Sequence, residues 1–166
     1  MAEQQQYVVV RTFGDVELRR YAPCVMADVV VYGDYRRATY EGFGPLVTYI
    51  SRNDIAMTAP VVQEHTGGES WKVSFVMPAD AQLASLPRPA NQQVSLREVP
   101  EHLAAALRFS GIATRRDVAR KEQDLLGTLY LESLTPTSTV RVARFDPPWT
   151  PGFMRHNEVI VDVEAR

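Results

Sequence analysis

A self-similarity at an offset of 78 residues constrains this chain more than any single motif. Leu18-Arg19 recurs as Leu96-Arg97, and Gly33 recurs as Gly111, at that offset. Arg36-Arg37 recurs as Arg115-Arg116 one residue later, as a single loop insertion would give. Between these marks Val25, Val29 and Val31 meet Leu103, Leu107 and Phe109. Two copies of this length do not make a solenoid, whose repeats are shorter and more numerous. The 166 residues therefore read as one domain over 16–164, with half-repeats at about 16–78 and 94–164 and an N-terminal segment at 1–15.

Each half reads as ββαββ. Val16–Tyr21 and Cys24–Tyr32 are strands; in the second, Val25, Ala27, Val29 and Val31 alternate with Met26, Asp28, Val30 and Tyr32. Asp34 is a good helix cap, and Tyr35, Ala38, Gly42, Phe43, Leu46, Val47 and Ile50 follow at helical spacing until 52–54. Residues 56–64 and 71–77 read as strands joined by a Gly-containing turn at 65–69. After a Pro-containing connector at 79–91, strands are expected at Val94–Val99 and 102–110, a helix at 117–134, and strands at 139–145 and 158–164. Residues 102–108 also suit a short helix; the repeat decides for a strand. One helix cannot cover the sheet of its half, so the expected class is α+β, a distorted antiparallel β-barrel built from two pseudo-symmetric halves.

Composition excludes several function classes. Eighteen Lys+Arg against 20 Asp+Glu give a net charge of −2, without the basic field that nucleic-acid binding usually needs. One cysteine, Cys24, rules out an intrachain disulfide and any multi-cysteine zinc site. The longest apolar stretch, near 25–32, is interrupted by Asp28, and a membrane helix needs about 20 apolar residues. The polar start at 1–6 has no signal-peptide core, so the expected address is the cytoplasm.

Few residues suggest chemistry. His65, His102 and His156 have no metal-ligand spacing, so no metal site is assigned; no GxSxG elbow or phosphate loop occurs. In the last strand Glu158, Ile160, Asp162 and Glu164 share one face and Val159, Val161 and Val163 the other. The plain reading is a solvated face opposite a buried one. The sharper reading is that Glu158, beside the preceding loop, points into a cleft as a desolvated carboxylate that binds a cation or acts as a base. The most ligand-like segment is that loop, DPPWTPGFMRHN: Pro147, Pro148 and Pro151 stiffen it, and Trp149, Phe153 and Met154 are hard to place in a core.

VELRRYAP, NDIAMTAPV, WKVSFVMP, LPRPAN, Phe109-Ser110-Gly111 and PPWTPGFMRHNEV, in this order and spacing, resemble the SOUL heme-binding protein family over nearly the whole chain. The resemblance implies a distorted barrel of two ββαββ-like halves, similar in layout to GyrI-like small-molecule-binding domains. It also implies a shallow apolar cleft beside the first long helix that binds heme or another tetrapyrrole. Here that cleft would involve Tyr40, Phe43, Val47, Trp149, Phe153, Met154 and Arg155, with Arg155 and Arg20 available for propionates. Some members carry an axial histidine in the first motif; this chain has Arg20 there, which cannot ligate iron in that way. Members without that histidine carry basic residues along the first helix, where this chain has Tyr40 and Thr48. His156 is the imidazole nearest the proposed cleft. The function these residues favour is a non-catalytic heme or tetrapyrrole binder, a carrier or buffer, holding its ligand without a strong axial bond. The alternatives are a GyrI-like binder of flat or cationic apolar molecules with Glu158 as counter-charge, and a hydrolase using Glu158 or His156 in the same cleft.

Overall fold

The computed structural model describes residues 2–165. In chain order its elements are β1 (Glu3–Gln4), β2 (Tyr7–Phe13), β3 (Val16–Tyr21), β4 (Cys24–Tyr32), α1 (Tyr35–Arg52), β5 (Thr58–Ala59), β6 (Val61–Gly67), β7 (Ser70–Val76), β8 (Val94–Val99), β9 (His102–Phe109), α2 (Arg115–Leu131), β10 (Leu134–Pro136), β11 (Arg141–Arg144) and β12 (Asn157–Ala165). They form two compact units. The first joins the residues up to Gln6 to Ala22–Glu101; the second joins Tyr7–Tyr21 to the chain from His102 onward. The α+β class with two helices holds, and the ambiguous 102–108 stretch is strand.

In the first unit β6, β7, β4 and β8 pair antiparallel in that order, and β1 pairs parallel with β5. The alternation in β4 works as its pattern suggests. Val25, Ala27 and Val29 join Leu46, Tyr49 and Ile50 of α1 and Val73, Phe75, Met77 and Val94 in one core. On the other face, Asp28 is buried and accepts hydrogen bonds from Ser74 Oγ (2.5 Å) and Arg97 Nε (2.8 Å). Asp34 caps α1 by accepting from the Arg37 backbone N–H at 2.8 Å. The helix lies so close to β7 that a Cβ on Gly42 would stand 2.5 Å from Val73 Cγ2.

In the second unit β2, β3, β9, β12 and β11 pair antiparallel in that order, and β10 pairs with β12. The β2–β3 hairpin turns at Gly14, whose φ of 59° suits a residue without Cβ. Register places Val16, Leu107 and Val159 side by side, as it does Leu18, Ala105 and Val161, so one sheet face is apolar and buried. Glu17, Arg19, Tyr21, Ala104, Ala106, Glu158 and Ile160 lie on the opposite face. Helix α2 packs on β9, β10 and β12, burying Val118, Leu125 and Leu129.

Several boundaries differ from the sequence-based expectation. The 1–15 segment contributes β1 and β2; its exposed valines do not alternate, so no two-faced strand pattern marks it. The second helix starts at Arg115 under a Thr114 cap and ends at Leu131, because Ser133 takes φ +59° and Leu134 pairs with Ala165 instead. Residues 56–64 split at Pro60, which has no N–H for a ladder. The compact units also divide the chain differently from the sequence repeats. The strand opening the first repeat, β3, pairs with β9 in the second unit, and the strand opening the second repeat, β8, pairs with β4 in the first.

Candidate functional site

The second unit holds a stiff loop and a buried ionic cluster that meet at His156. The loop, residues 146–156, is stitched to itself. Thr150 N–H donates to Pro147 O, Met154 N–H to Pro151 O and Arg155 N–H to Gly152 O, at 3.1, 2.9 and 3.1 Å. Arg155 donates from Nε to Thr150 O at 2.8 Å and from Nη2 to Pro148 O. At the stem, Phe145 N–H donates to His156 O (3.1 Å) and His156 N–H to Asp146 Oδ2 (2.5 Å). A second clamp joins the loop to the end of β9: Gly111 N–H donates to Gly152 O, and Asn157 Nδ2 donates to Gly111 O. Three prolines fix φ within it. What this scaffold presents is apolar: Trp149 is 83% exposed, Phe153 81%, and Met154 and neighbouring Ile112 are exposed as well.

The cluster lies on the polar face of the sheet. Arg19 is 3% exposed and Glu158 1%. All five guanidinium N–H groups are used. Nε donates to Glu17 Oε1 (2.9 Å), Nη1 to Tyr21 Oη (2.8 Å) and Glu158 Oε1 (2.6 Å), and Nη2 to Glu17 Oε1 (2.7 Å) and Glu158 Oε2 (3.0 Å). The Tyr7 ring lies against the guanidinium, 4.1 Å from its centroid to Cζ. The remaining reach of Glu158 goes to His156, whose Nε2 stands 2.7 Å from Oε2. Against an ionised carboxylate that nitrogen carries the proton and donates. The His156 ring stacks on Phe145 at 4.0 Å, within 7° of parallel.

The charges tune one another. Burial alone pushes the Glu158 carboxyl up, but hydrogen bonds from His156 and Arg19, with the Arg19 charge, outweigh it and hold it below its ordinary value. Burial favours loss of the Arg19 proton, and its bonds to Glu158 and Tyr21 overcome this and raise it. Burial pushes the Tyr21 hydroxyl up to about 12, against the pull of Arg19. The reading of Glu158 as part of a solvated face is therefore corrected: residue 158 is buried because Arg19, on the same face of the sheet, neutralises it.

The other expected residues fall as follows. Arg155 spends donors inside its own loop. Arg20 is exposed on the sheet face opposite Arg19. Tyr40 (80% exposed), Phe43 and half-buried Val47 belong to α1 in the first unit, and Phe43 packs edge-on against Phe75. Sequence reasoning missed Arg19, Tyr21, Glu17 and Tyr7. Period-2 spacing puts Glu17, Arg19 and Tyr21 on one face, but which of two adjacent arginines turns inward depends on strand pairing.

The loop chemistry fits the flat apolar face of a tetrapyrrole. It does not fit iron ligation by His156 Nε2, which is engaged with Glu158. Among the described residues no group of three His, Cys, Asp or Glu side chains is placed to hold a metal ion, and no helix is long and apolar enough to cross a membrane.

Comparison with known proteins agrees with the fold. The C-terminal domain of EcmrR superposes with a TM-score of 0.72 at 12% identity, covering 91% of this chain and 98% of that one. A Listeria innocua protein described as a hydrolase gives 0.63 at 12%, covering 93% and 94%. SAV2435, solved bound to tetraphenylphosphonium, gives 0.55 at 9%, covering 90% and 93%. At these identities the likeness is one of fold alone. No curated protein matches the sequence. The family model described as SOUL heme-binding protein matches residues 2–162, and the chain belongs to that family.

Proposed function

We propose that this protein is a non-catalytic tetrapyrrole binder, a carrier or buffer for heme or a related macrocycle. In this reading it holds the ring by stacking on the Trp149–Met154 surface, without an axial bond from His156. The observation that carries it is a loop pinned at both stem and tip that nevertheless exposes Trp149, Phe153 and Met154. A rigid apolar surface loses little conformational entropy when a flat ligand covers it, and an exposed aromatic cluster marks a contact site. Membership of a family described by heme binding supports the ligand class. Exposed Tyr40 and Phe43, with half-buried Val47, form a second surface to test, on α1 in the first unit.

The cation-binding and hydrolase alternatives both use Glu158 as an available carboxylate or His156 as an available imidazole. Both Glu158 oxygens are held by Arg19 and His156, and His156 Nε2 is held in return, so these alternatives have less support.

Titration with hemin and with metal-free protoporphyrin IX tests the proposal. Both should saturate with comparable affinity, quench Trp149 fluorescence, and lose roughly tenfold or more, about 1.4 kcal/mol, in Trp149→Ala and in Phe153→Ala. Tyr40→Ala and Phe43→Ala measure the part played by α1. No saturable spectral shift with either porphyrin ends the reading.

A further inference from the structure

We infer that Glu158, locked by Arg19, is a positioning residue that holds the Trp149–Met154 surface in its binding shape through His156. The inference rests on the ligand surface proposed above and adds what controls it.

Three observations converge on His156. Its side chain is fixed on one side by Glu158 Oε2 at 2.7 Å and on its face by the Phe145 ring at 4.0 Å. Its backbone closes the loop stem, accepting from Phe145 N–H and donating to Asp146 Oδ2. The residue before it, Arg155, ties the stem to Thr150 and Pro148 on either side of Trp149. Glu158 in turn cannot swing, because both its oxygens accept from a guanidinium that has no N–H left over. A rigid rod of contacts thus runs from strand β3 through β12 to the loop that carries the exposed rings.

Stability alone does not account for this arrangement. A buried ion pair is often no more stabilising than apolar residues of similar volume. Glu158 stands next to buried Val159 and Ile160 in a strand, where an aliphatic side chain would satisfy packing. Only a carboxylate at this place can grip both the arginine and the imidazole at the loop stem.

The decisive variant replaces the pair together, Arg19→Met with Glu158→Leu, which removes the grip without stranding a buried charge. Three readouts are compared with wild type: the melting temperature, the rate of trypsin cleavage after Arg155, and the affinity for protoporphyrin IX well below melting. Positioning predicts a folded variant cleaved after Arg155 roughly tenfold faster, since local opening governs cleavage. It also predicts porphyrin affinity down by about the same factor. His156→Phe keeps a ring to stack on Phe145 but cuts the link to Glu158, and should show both effects; it decides the matter alone if the double variant does not fold. Wild-type cleavage rate in a folded variant overturns the inference, as does faster cleavage with unchanged affinity. If wild-type protein binds no porphyrin, the ligand reading fails, and the cleavage rate still decides whether the network holds the loop.

Discussion

Replacing Gly42 by alanine should destabilise the first unit although alanine favours helix. Helix α1 turns about 100° per residue. That rotation sets Ala38, Gly42, Leu46 and Tyr49 on its buried side and leaves Tyr40 and Phe43 exposed. At Gly42 the helix backbone approaches Val73 in β7. An added methyl would meet Val73 Cγ2 at 2.5 Å, Cβ at 2.7 Å and Cγ1 at 3.3 Å. Carbon atoms prefer separations of about 3.5–4.0 Å, so helix or strand must give by about 1 Å. Val73 is buried in the middle of the core and its Cβ cannot rotate away. Overpacking of this kind costs about 1–3 kcal/mol, against a propensity gain of about 1 kcal/mol. Two contacts under 3.0 Å with a buried side chain put the cost in the upper part of that range, about 2–3 kcal/mol, so the net expectation for Gly42→Ala is a loss of about 1–2 kcal/mol. Chemical denaturation of Gly42→Ala, Val73→Ala and the double variant measures it, and the double variant should recover at least about 1 kcal/mol relative to the sum of the singles. A Gly42→Ala protein as stable as wild type, or strictly additive singles, would refute the close approach of α1 to β7.

Further predictions concern the charged groups and caps. The Glu158 carboxyl sits below its ordinary 4.5 when folded, so its stabilisation is complete above that value and is lost as pH falls through the folded value. The gap in melting temperature between wild type and Glu158→Gln should therefore be widest near pH 7 and close as pH falls below about 4.5. Tyr21, held near 12, should ionise late in an ultraviolet titration of the seven tyrosines. Its stabilising share is complete below the ordinary value of 10.0 and lost as pH rises towards 12; a Tyr21→Phe protein that loses stability over the same alkaline range as wild type would count against this. Asp34→Ala, which removes the 2.8 Å cap on Arg37 N–H, should cost about 1 kcal/mol in thermal unfolding, and no loss would mean that the cap is idle.

Much of the fold is legible because periodicity and caps are local. Val25, Ala27 and Val29 mark β4, Asp34 marks the start of α1, and the repeat turns an ambiguous Ala-rich stretch into β9. Non-local choices are not legible. No helix-breaking residue stands between Leu131 and Leu134, and α2 ends there because Ser133 takes φ +59° and β12 offers Leu134 a partner. The same holds at the candidate site. The proline-stiffened loop and its exposed rings can be read from composition and position. The inward turn of Arg19 rather than Arg20 cannot, because adjacent residues of a strand are equivalent until pairing sets the register. Glu158 shows the limit most clearly. Alternation puts it opposite the valine face, but its burial follows from a partner 139 residues earlier in the chain.

The central claim is that a pinned apolar loop, not an axial side chain, holds a tetrapyrrole. Parallel titrations of the wild-type protein with hemin and with metal-free protoporphyrin IX test it most directly. Saturable binding of both with affinities within about tenfold, lost from both in Trp149→Ala, is the result this account predicts. Binding of hemin alone, abolished in His156→Phe and untouched in Trp149→Ala, would contradict it.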